Sequence, residues 1–168
     1  MTVEIERKFL VADKGFLAGL EGERLTQGYI ASTERATVRV RIGGARAWLT
    51  LKGRTEGISR REFEYAIPLA HAQVCIADLC AGPVIDKTRY RVAHNSHTWE
   101  VDVFHGDNEG LVLAEIELAR EDECFECPSW LGAEVSGDPR YYNSNLAKRP
   151  YHSWCDGALR IGKEIDAR

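Results

Sequence analysis

Long apolar runs are missing from this chain. None approaches the ~20 residues that a membrane helix needs. The N-terminus, M-T-V-E-I-E-R-K-F-L, alternates charged and apolar residues and has no apolar h-region of a signal peptide. The expected location is therefore the cytoplasm, with no membrane partner. A basic excess is missing too: 22 Lys and Arg stand against 26 Asp and Glu, a formal net charge of −4. That balance argues against a nucleic-acid partner, whose electrostatic footprint is basic. It leaves an anionic small molecule admissible, because local charge clusters decide that matter. No Walker A sequence occurs, which excludes a P-loop phosphate site. Internal repeats, low-complexity runs and linkers are absent, so residues 1–168 read as one domain, long enough for a real core.

Cysteine is sparse and odd in number: Cys75, Cys80, Cys124, Cys127 and Cys155. An odd set without a signal peptide argues against a disulfide framework. Cys124-Phe125-Glu126-Cys127 has the spacing of half a zinc site, but a closed site needs four ligands. Cys75 and Cys80 are poorly spaced to complete it. Buried or incidental thiols are the better reading. His71, His94, His97, His105 and His152 share no spacing that suggests a metal site and read as surface or packing residues.

What the chain does contain is alternation. Eight segments read as strands by period-two patterning and β-branched or aromatic content: 2–11, 24–31, 36–43, 47–54, 59–67, 85–93, 98–105 and 111–119. Turn signals at Gly43-Gly44, from Gly53 to Gly57, and at Asn95-Ser96 predict antiparallel hairpins. A short helix is expected over 13–20 and a longer one over 69–81, stopped by Gly82-Pro83. Asp138-Pro139 predicts an N-cap and a helix running to about Lys148. The last fifteen residues are ambiguous. Eight mostly antiparallel strands with a few helices fit a closed or nearly closed barrel; an α+β sheet with one wet face is the alternative.

The alternation carries sorted charge. Val3, Ile5, Arg7 and Phe9 share one face of the first strand, and Glu4, Glu6 and Lys8 the other. Adjacent carboxylates on one sheet face repel, a penalty that a Mg²⁺ or Mn²⁺ ion held between their oxygens would remove. The pattern returns six times. Arg39 and Arg41 share a face, as do Thr50 and Lys52; Arg60, Glu62 and Glu64; Lys87, Arg89 and Arg91; Glu100 and Asp102; and Glu115 and Glu117. In one explanation these faces look at water. In the other they line a barrel interior, where burial of so many charges demands compensation. A polyphosphate with divalent cations supplies both signs in one ligand, with bases on the phosphates and carboxylates on the metals.

At this point the residues resemble a family. E-I-E-R-K at 4–8 matches the E-x-E-x-K signature of the CYTH superfamily, the triphosphate tunnel metalloenzymes. Q-G-Y-I at Gln27–Ile30, T-V-R-V-R at Thr37–Arg41, L-T-L-K-G at Leu49–Gly53 and R-R-E-F-E-Y at Arg60–Tyr65 look like successive family blocks. So do K-T-R-Y at Lys87–Tyr90, W-E-V-D-V-F at Trp99–Phe104, A-E-I-E-L at Ala114–Leu118 and the segment Trp130–Asn143. The C-x-x-C and the tail from Tyr151 to Arg168 match no signature of the family.

The resemblance implies an α+β fold built on an eight-stranded antiparallel β-barrel, a triphosphate tunnel with flanking helices. It implies that Glu4, Glu6, Glu115 and Glu117 hold Mg²⁺ or Mn²⁺, two ions per site. Lys8, Arg39, Arg41, Lys52, Lys87 and Arg89 would contact phosphates. Arg60, Glu62, Glu64 and Asp102 would complete the tunnel lining by pairing, orienting the bases or helping with the second metal, and together with Glu4, Glu6 and Lys8 would form the catalytic set. Arg91 and Glu100 would sit at the mouth. The implied activity is metal-dependent hydrolysis of a small-molecule triphosphate, with inorganic tripolyphosphate first in rank. A class IV-type adenylate cyclase, a thiamine triphosphatase and a non-catalytic polyphosphate-binding module are the alternatives. A homodimer is the base-rate expectation.

Overall fold

The computed structural model describes residues 2–154. Among these residues nine strands are present: β1 Thr2–Val11, β2 Glu23–Ser32, β3 Ala36–Gly43, β4 Arg46–Gly53, β5 Ser59–Ala66, β6 Ile85–His94, β7 His97–Phe104, β8 Val112–Glu117 and β9 Leu131–Glu134. The first eight are those expected, to within two residues at each end. They follow the order β5-β4-β3-β2-β6-β7-β8-β1, and β1 pairs back onto β5 to close an antiparallel barrel. The closing strand is divided along one edge. Thr2–Ile5 pairs with β5, while Phe9 and Val11 of the same strand pair with β9. Its other edge takes β8 from Glu6 to Leu10.

The hairpins form where the turn residues predict. Gly44 has φ +56° between β3 and β4, and Asn95 takes φ +52° between β6 and β7, the left-handed region that these two residue types tolerate. The short strand β9 carries no alternation long enough to announce it. It is admitted by Gly132, where a Cβ would lie 3.0 Å from the Leu10 carbonyl oxygen of β1.

The helices are shorter than the sequence suggests. Residues 13–20 yield only a 3₁₀ turn, Gly15–Leu17. The segment 69–81 begins as α1, Leu69–Val74, and continues as a π turn over Cys75–Leu79. The Cys80 N–H there donates to the Cys75 carbonyl at 3.0 Å, one residue beyond the α-helical partner. The segment ends at Cys80, whose ψ of 130° is extended, two residues before Gly82 at φ +85°. Asp138 does cap, its carboxylate accepting from the Arg140 N–H at 3.0 Å. The helix that it opens breaks at Tyr142, whose extended ψ separates the 3₁₀ turn Pro139–Tyr141 from α2, Asn143–Leu146.

The apolar faces of the strands point outward and are covered piecemeal. Phe9, Trp99, Val101 and Ile116 are buried beneath Phe16, Phe125 and Trp130 from the connecting segments. Phe125 meets Trp99 edge-on at 5.7 Å. Val40 and Ala47 are buried under Ala72 of α1. A third cluster closes part of the barrel interior: Ile85, Phe104 and Leu113, on the same strand faces as the charges, pack with Leu146 of α2. Most of the remaining inward positions are charged. The barrel is thus apolar outside and ionic inside, the second of the two arrangements weighed above. Among the described residues no helix is long and apolar enough to cross a membrane.

Candidate active site

The barrel encloses a cavity of about 630 Å³ lined by β1 to β8. Period-two geometry brings Glu4, Glu6 and Lys8 of β1 to its wall together with Arg39 and Arg41 of β3 and Lys52 of β4. Arg60, Glu62 and Glu64 of β5, Arg89 of β6, and Glu115 and Glu117 of β8 complete the expected set. Arg91 and Glu100 also line it, and the 61% exposure of the Arg91 side chain puts that residue at a rim. Lys87 and Asp102 are not on the wall. Their side chains are 1% and 0% exposed, directly behind it.

Register pairs opposite signs. Lys8 stands across from Glu115, Arg60 from Glu4, Lys52 from Glu62 and Arg89 from Asp102. Lys52 Nζ lies 2.9 Å from carboxylate oxygens of both Glu4 and Glu62, and Arg60 Nε donates to Glu4 at 2.6 Å. Lys8 bonds Glu115 and approaches Glu6 at 3.5 Å. Arg89 grips Asp102 in a two-pronged fork at 2.7 and 2.6 Å, reaches Glu115 at 2.9 Å and bonds Glu100. Lys87 Nζ shares Asp102 at 2.6 Å.

These contacts set the protonation states. Burial would lower the Lys8 pKa, but Glu115 and Glu6 outweigh it and hold the ammonium above its ordinary range. Burial opposes ionisation of Glu115 and Asp102, yet the cations around them keep both pKa values below normal. Lys87 goes the other way. Burial and the neighbouring Arg89 push it down to about 8 against the pull of Asp102.

Two features stand apart from this neutralised network. Arg39 and Arg41 each leave a buried Nε–H without a partner, although their Nη2 atoms reach Glu64 at 3.4 and 3.1 Å. A buried donor left empty is costly, and two on one strand face mark a place for an anion. Glu117 is the acidic counterpart. It faces Glu6 across the β1–β8 ladder and has no cation partner among the described residues. Burial first, and then Glu4, Glu100, Glu62 and Glu6, raise its pKa. The other acid pair in register, Glu100 and Glu115, has Arg89 between its members.

The oxygen-only donor set of Glu4, Glu6, Glu115 and Glu117 suits a hard divalent cation, and the Glu6–Glu117 pair, in which only Glu6 has a lysine nearby, fits one. The carboxylates are nonetheless drawn onto lysines and arginines. Among the described residues no three His, Cys, Asp or Glu side chains converge closely enough to hold a metal by themselves. The four described cysteines are free, with Cys124 and Cys127 exposed; Cys155 and the tail beyond it lie outside the described residues.

Several lining residues escaped the charge pattern. The cavity also meets Tyr29 of β2, Trp48 of β4 and His97 of β7. Tyr29 is buried, and its hydroxyl accepts from Gln27 Nε2 at 3.0 Å. Arg41 and Arg46 each lie 5.2 Å from the Trp48 ring. His97 is the one histidine on this wall, and it is tied to Glu123 at 3.0 Å.

Comparison with known proteins agrees with this architecture. The model of the CYTH domain matches residues 2–151. The chain belongs to the CYTH family. An inorganic triphosphatase of Acetivibrio thermocellus is 48% identical over 154 residues, covering 92% of this chain and 99% of the relative. A second, from Nitrosomonas europaea, is 38% identical over 149 residues, covering 86% and 96%. A crystal structure of an inorganic triphosphatase superposes with a TM-score of 0.63 at 35% identity, covering 88% of this chain and 95% of that one. The CYTH match takes in all nine described strands and every tunnel residue described above.

Proposed function

We propose that this CYTH chain is a divalent-metal-dependent triphosphatase that hydrolyses inorganic tripolyphosphate to diphosphate and phosphate. The observation that carries the reading is the pair of buried, unpartnered guanidinium donors on Arg39 and Arg41, inside a cavity ringed by further bases. Two curated relatives with nearly full coverage are named inorganic triphosphatase.

In this reading Lys8, Arg39, Arg41, Lys52 and Arg89 bind phosphate oxygens. They stabilise the charge that spreads over the transferred phosphoryl group, with donors already fixed by the barrel. Lys87 acts from behind the wall, sharing Asp102 with Arg89. Glu4, Glu6, Glu115 and Glu117 would hold Mg²⁺ or Mn²⁺. Such ions, when bound, neutralise phosphate charge and lower the pKa of the attacking water. Arg60, Glu62 and Glu64 neutralise and orient the residues beside them. Attack by water needs no Ser or Cys nucleophile.

The test is phosphate release from tripolyphosphate, ATP and thiamine triphosphate, each with Mg²⁺, with Mn²⁺ and with chelator. Metal-dependent release, fastest from tripolyphosphate, is the expected result. Cyclic AMP formation from ATP outpacing phosphate release would replace hydrolysis by cyclisation. Tight tripolyphosphate binding without turnover under either metal would make the chain a binding module.

A further inference from the structure

Thr50 is fully buried, with 0% of its surface exposed, in the middle of β4. It occupies the centre of a three-strand row: Arg39 of β3 is its neighbour on one side and Glu64 of β5 on the other. Its hydroxyl uses both capacities in that row. Oγ1 accepts from Arg39 Nη2 at 3.1 Å and donates to Glu64 Oε2 at 2.9 Å. The direct contact between Arg39 and Glu64 is looser, at 3.4 Å. Glu64 in turn accepts from Arg41 Nη2 at 3.1 Å. One threonine hydroxyl therefore links both arginines whose Nε–H groups are buried without partners.

The chemistry of a hydroxyl explains why this position matters. It donates and accepts at once, so it can hold a guanidinium and a carboxylate without adding charge. By donating to Glu64 it occupies a lone pair that would otherwise go to arginine. By accepting from Arg39 Nη2 it fixes the rotation of the guanidinium plane and leaves Nε–H unused. We propose that Thr50 is a positioning residue of the triphosphate site, holding Arg39, and Arg41 through Glu64, with their free N–H edges available to phosphate. The inference rests on the triphosphatase reading and acts through the arginines; Thr50 does not touch the substrate.

The test compares Thr50→Val with Thr50→Ser and the unchanged chain. Valine keeps the β-branched shape and removes both hydrogen bonds, whereas serine keeps the hydroxyl. Steady-state hydrolysis of tripolyphosphate and calorimetric binding of tripolyphosphate without metal are both measured. The expected result for Thr50→Val is a KM about tenfold higher and a correspondingly weaker Kd, as for loss of a hydrogen bond to a charged group. Its kcat should stay within about threefold, and Thr50→Ser should restore most of the loss. Thr50→Val with unchanged KM and Kd overturns the inference even if its melting temperature falls, because a purely structural threonine would behave so. Failure of Thr50→Ser to restore binding also overturns it, since the hydroxyl would not be the active feature. An unchanged chain that neither binds nor hydrolyses tripolyphosphate overturns the triphosphatase reading and this inference with it.

Discussion

Replacing Asp102 by Asn tests the ionic layer behind the tunnel wall. Asp102 is completely buried and carries the Arg89 fork together with the Lys87 ammonium. An amide keeps the size and one acceptor but removes the charge, leaving buried Lys87 without its carboxylate beside an Arg89 that keeps Glu100 and Glu115. Breaking a buried pair in this way costs about 3–5 kcal/mol. Lys87 gives the cost a pH signature. It already sits at about 8 because burial and Arg89 outweigh Asp102; without Asp102 it falls further. Below the variant's value the folded variant must hold a proton that it binds more weakly than the unchanged chain does. Above about 8 Lys87 is neutral in both folded forms, and its share of the cost disappears. Each unit of additional depression is worth about 1.4 kcal/mol, so the destabilisation at pH 6.5 should exceed that at pH 9 by roughly 1–2 kcal/mol. At about 2–4 °C per kcal/mol for a domain of this size, the melting temperature at pH 6.5 should fall by roughly 6–20 °C. Urea unfolding at both pH values is the direct assay. A loss under about 1 kcal/mol at pH 6.5, or one that grows between pH 6.5 and pH 9, would refute the reasoning, since removal of a shared counter-ion cannot give either.

Three further outcomes are expected. Glu117→Gln should raise the Mg²⁺ concentration for half-maximal tripolyphosphate hydrolysis at least about tenfold, as for loss of a charged contact; an unchanged metal titration would remove Glu117 from the ligand set. Because the Glu117 pKa is raised by burial and by neighbouring acids, metal affinity in the unchanged chain should weaken on acidification before ordinary carboxylates protonate. That inflection should be missing from the metal-binding pH profile of Glu117→Gln. Gly28→Ala should destabilise by about 1–3 kcal/mol in chemical denaturation, the usual cost of overpacking, because the new Cβ would sit 2.6 Å from Cys80 Sγ. Normal stability there would show that the π turn moves aside freely.

The strands were legible because their signal is local. Alternation, turn glycines and Asn95 gave all eight barrel strands and the β3–β4 and β6–β7 hairpins. The sign-sorted faces also located the charged wall of the cavity, since a charge that repeats at period two must share a wall with its neighbours. What stayed hidden depends on partners distant in sequence. Strand β9 exists because Gly132 can lie against Leu10, which no local window contains. Lys87 and Asp102 share a strand face with the lining residues, but depth behind the wall is set by packing and not by periodicity. Tyr29 was passed over, and Thr50 was placed on the charged face with Lys52 but given no role, because both are neutral, although an uncharged residue among inward-facing charges is itself a clue to a polar role. The π turn at Cys75–Leu79 replaced an α-helix for which composition was an adequate description and geometry was not.

The internal pairing has a consequence for binding. In the chain alone, tunnel acids and bases neutralise each other: Lys52 lies between Glu4 and Glu62, and Arg89 joins Glu100, Asp102 and Glu115. In the proposed reading, a triphosphate draws bases away from these acids and leaves buried carboxylates uncompensated. A divalent cation alone does the reverse to the bases. Each half-filled state therefore carries the penalty of an unpaired buried charge, and the filled state relieves both. Anion and cation must then bind with positive coupling, and linkage requires the effect to be equal in the two directions. A coupling of about 1–3 kcal/mol, or roughly 5–150-fold in affinity, is the usual size. The same logic fits the scattered carboxylates: in the proposed reading the acids would be free to hold a metal only once phosphate had taken their present partners.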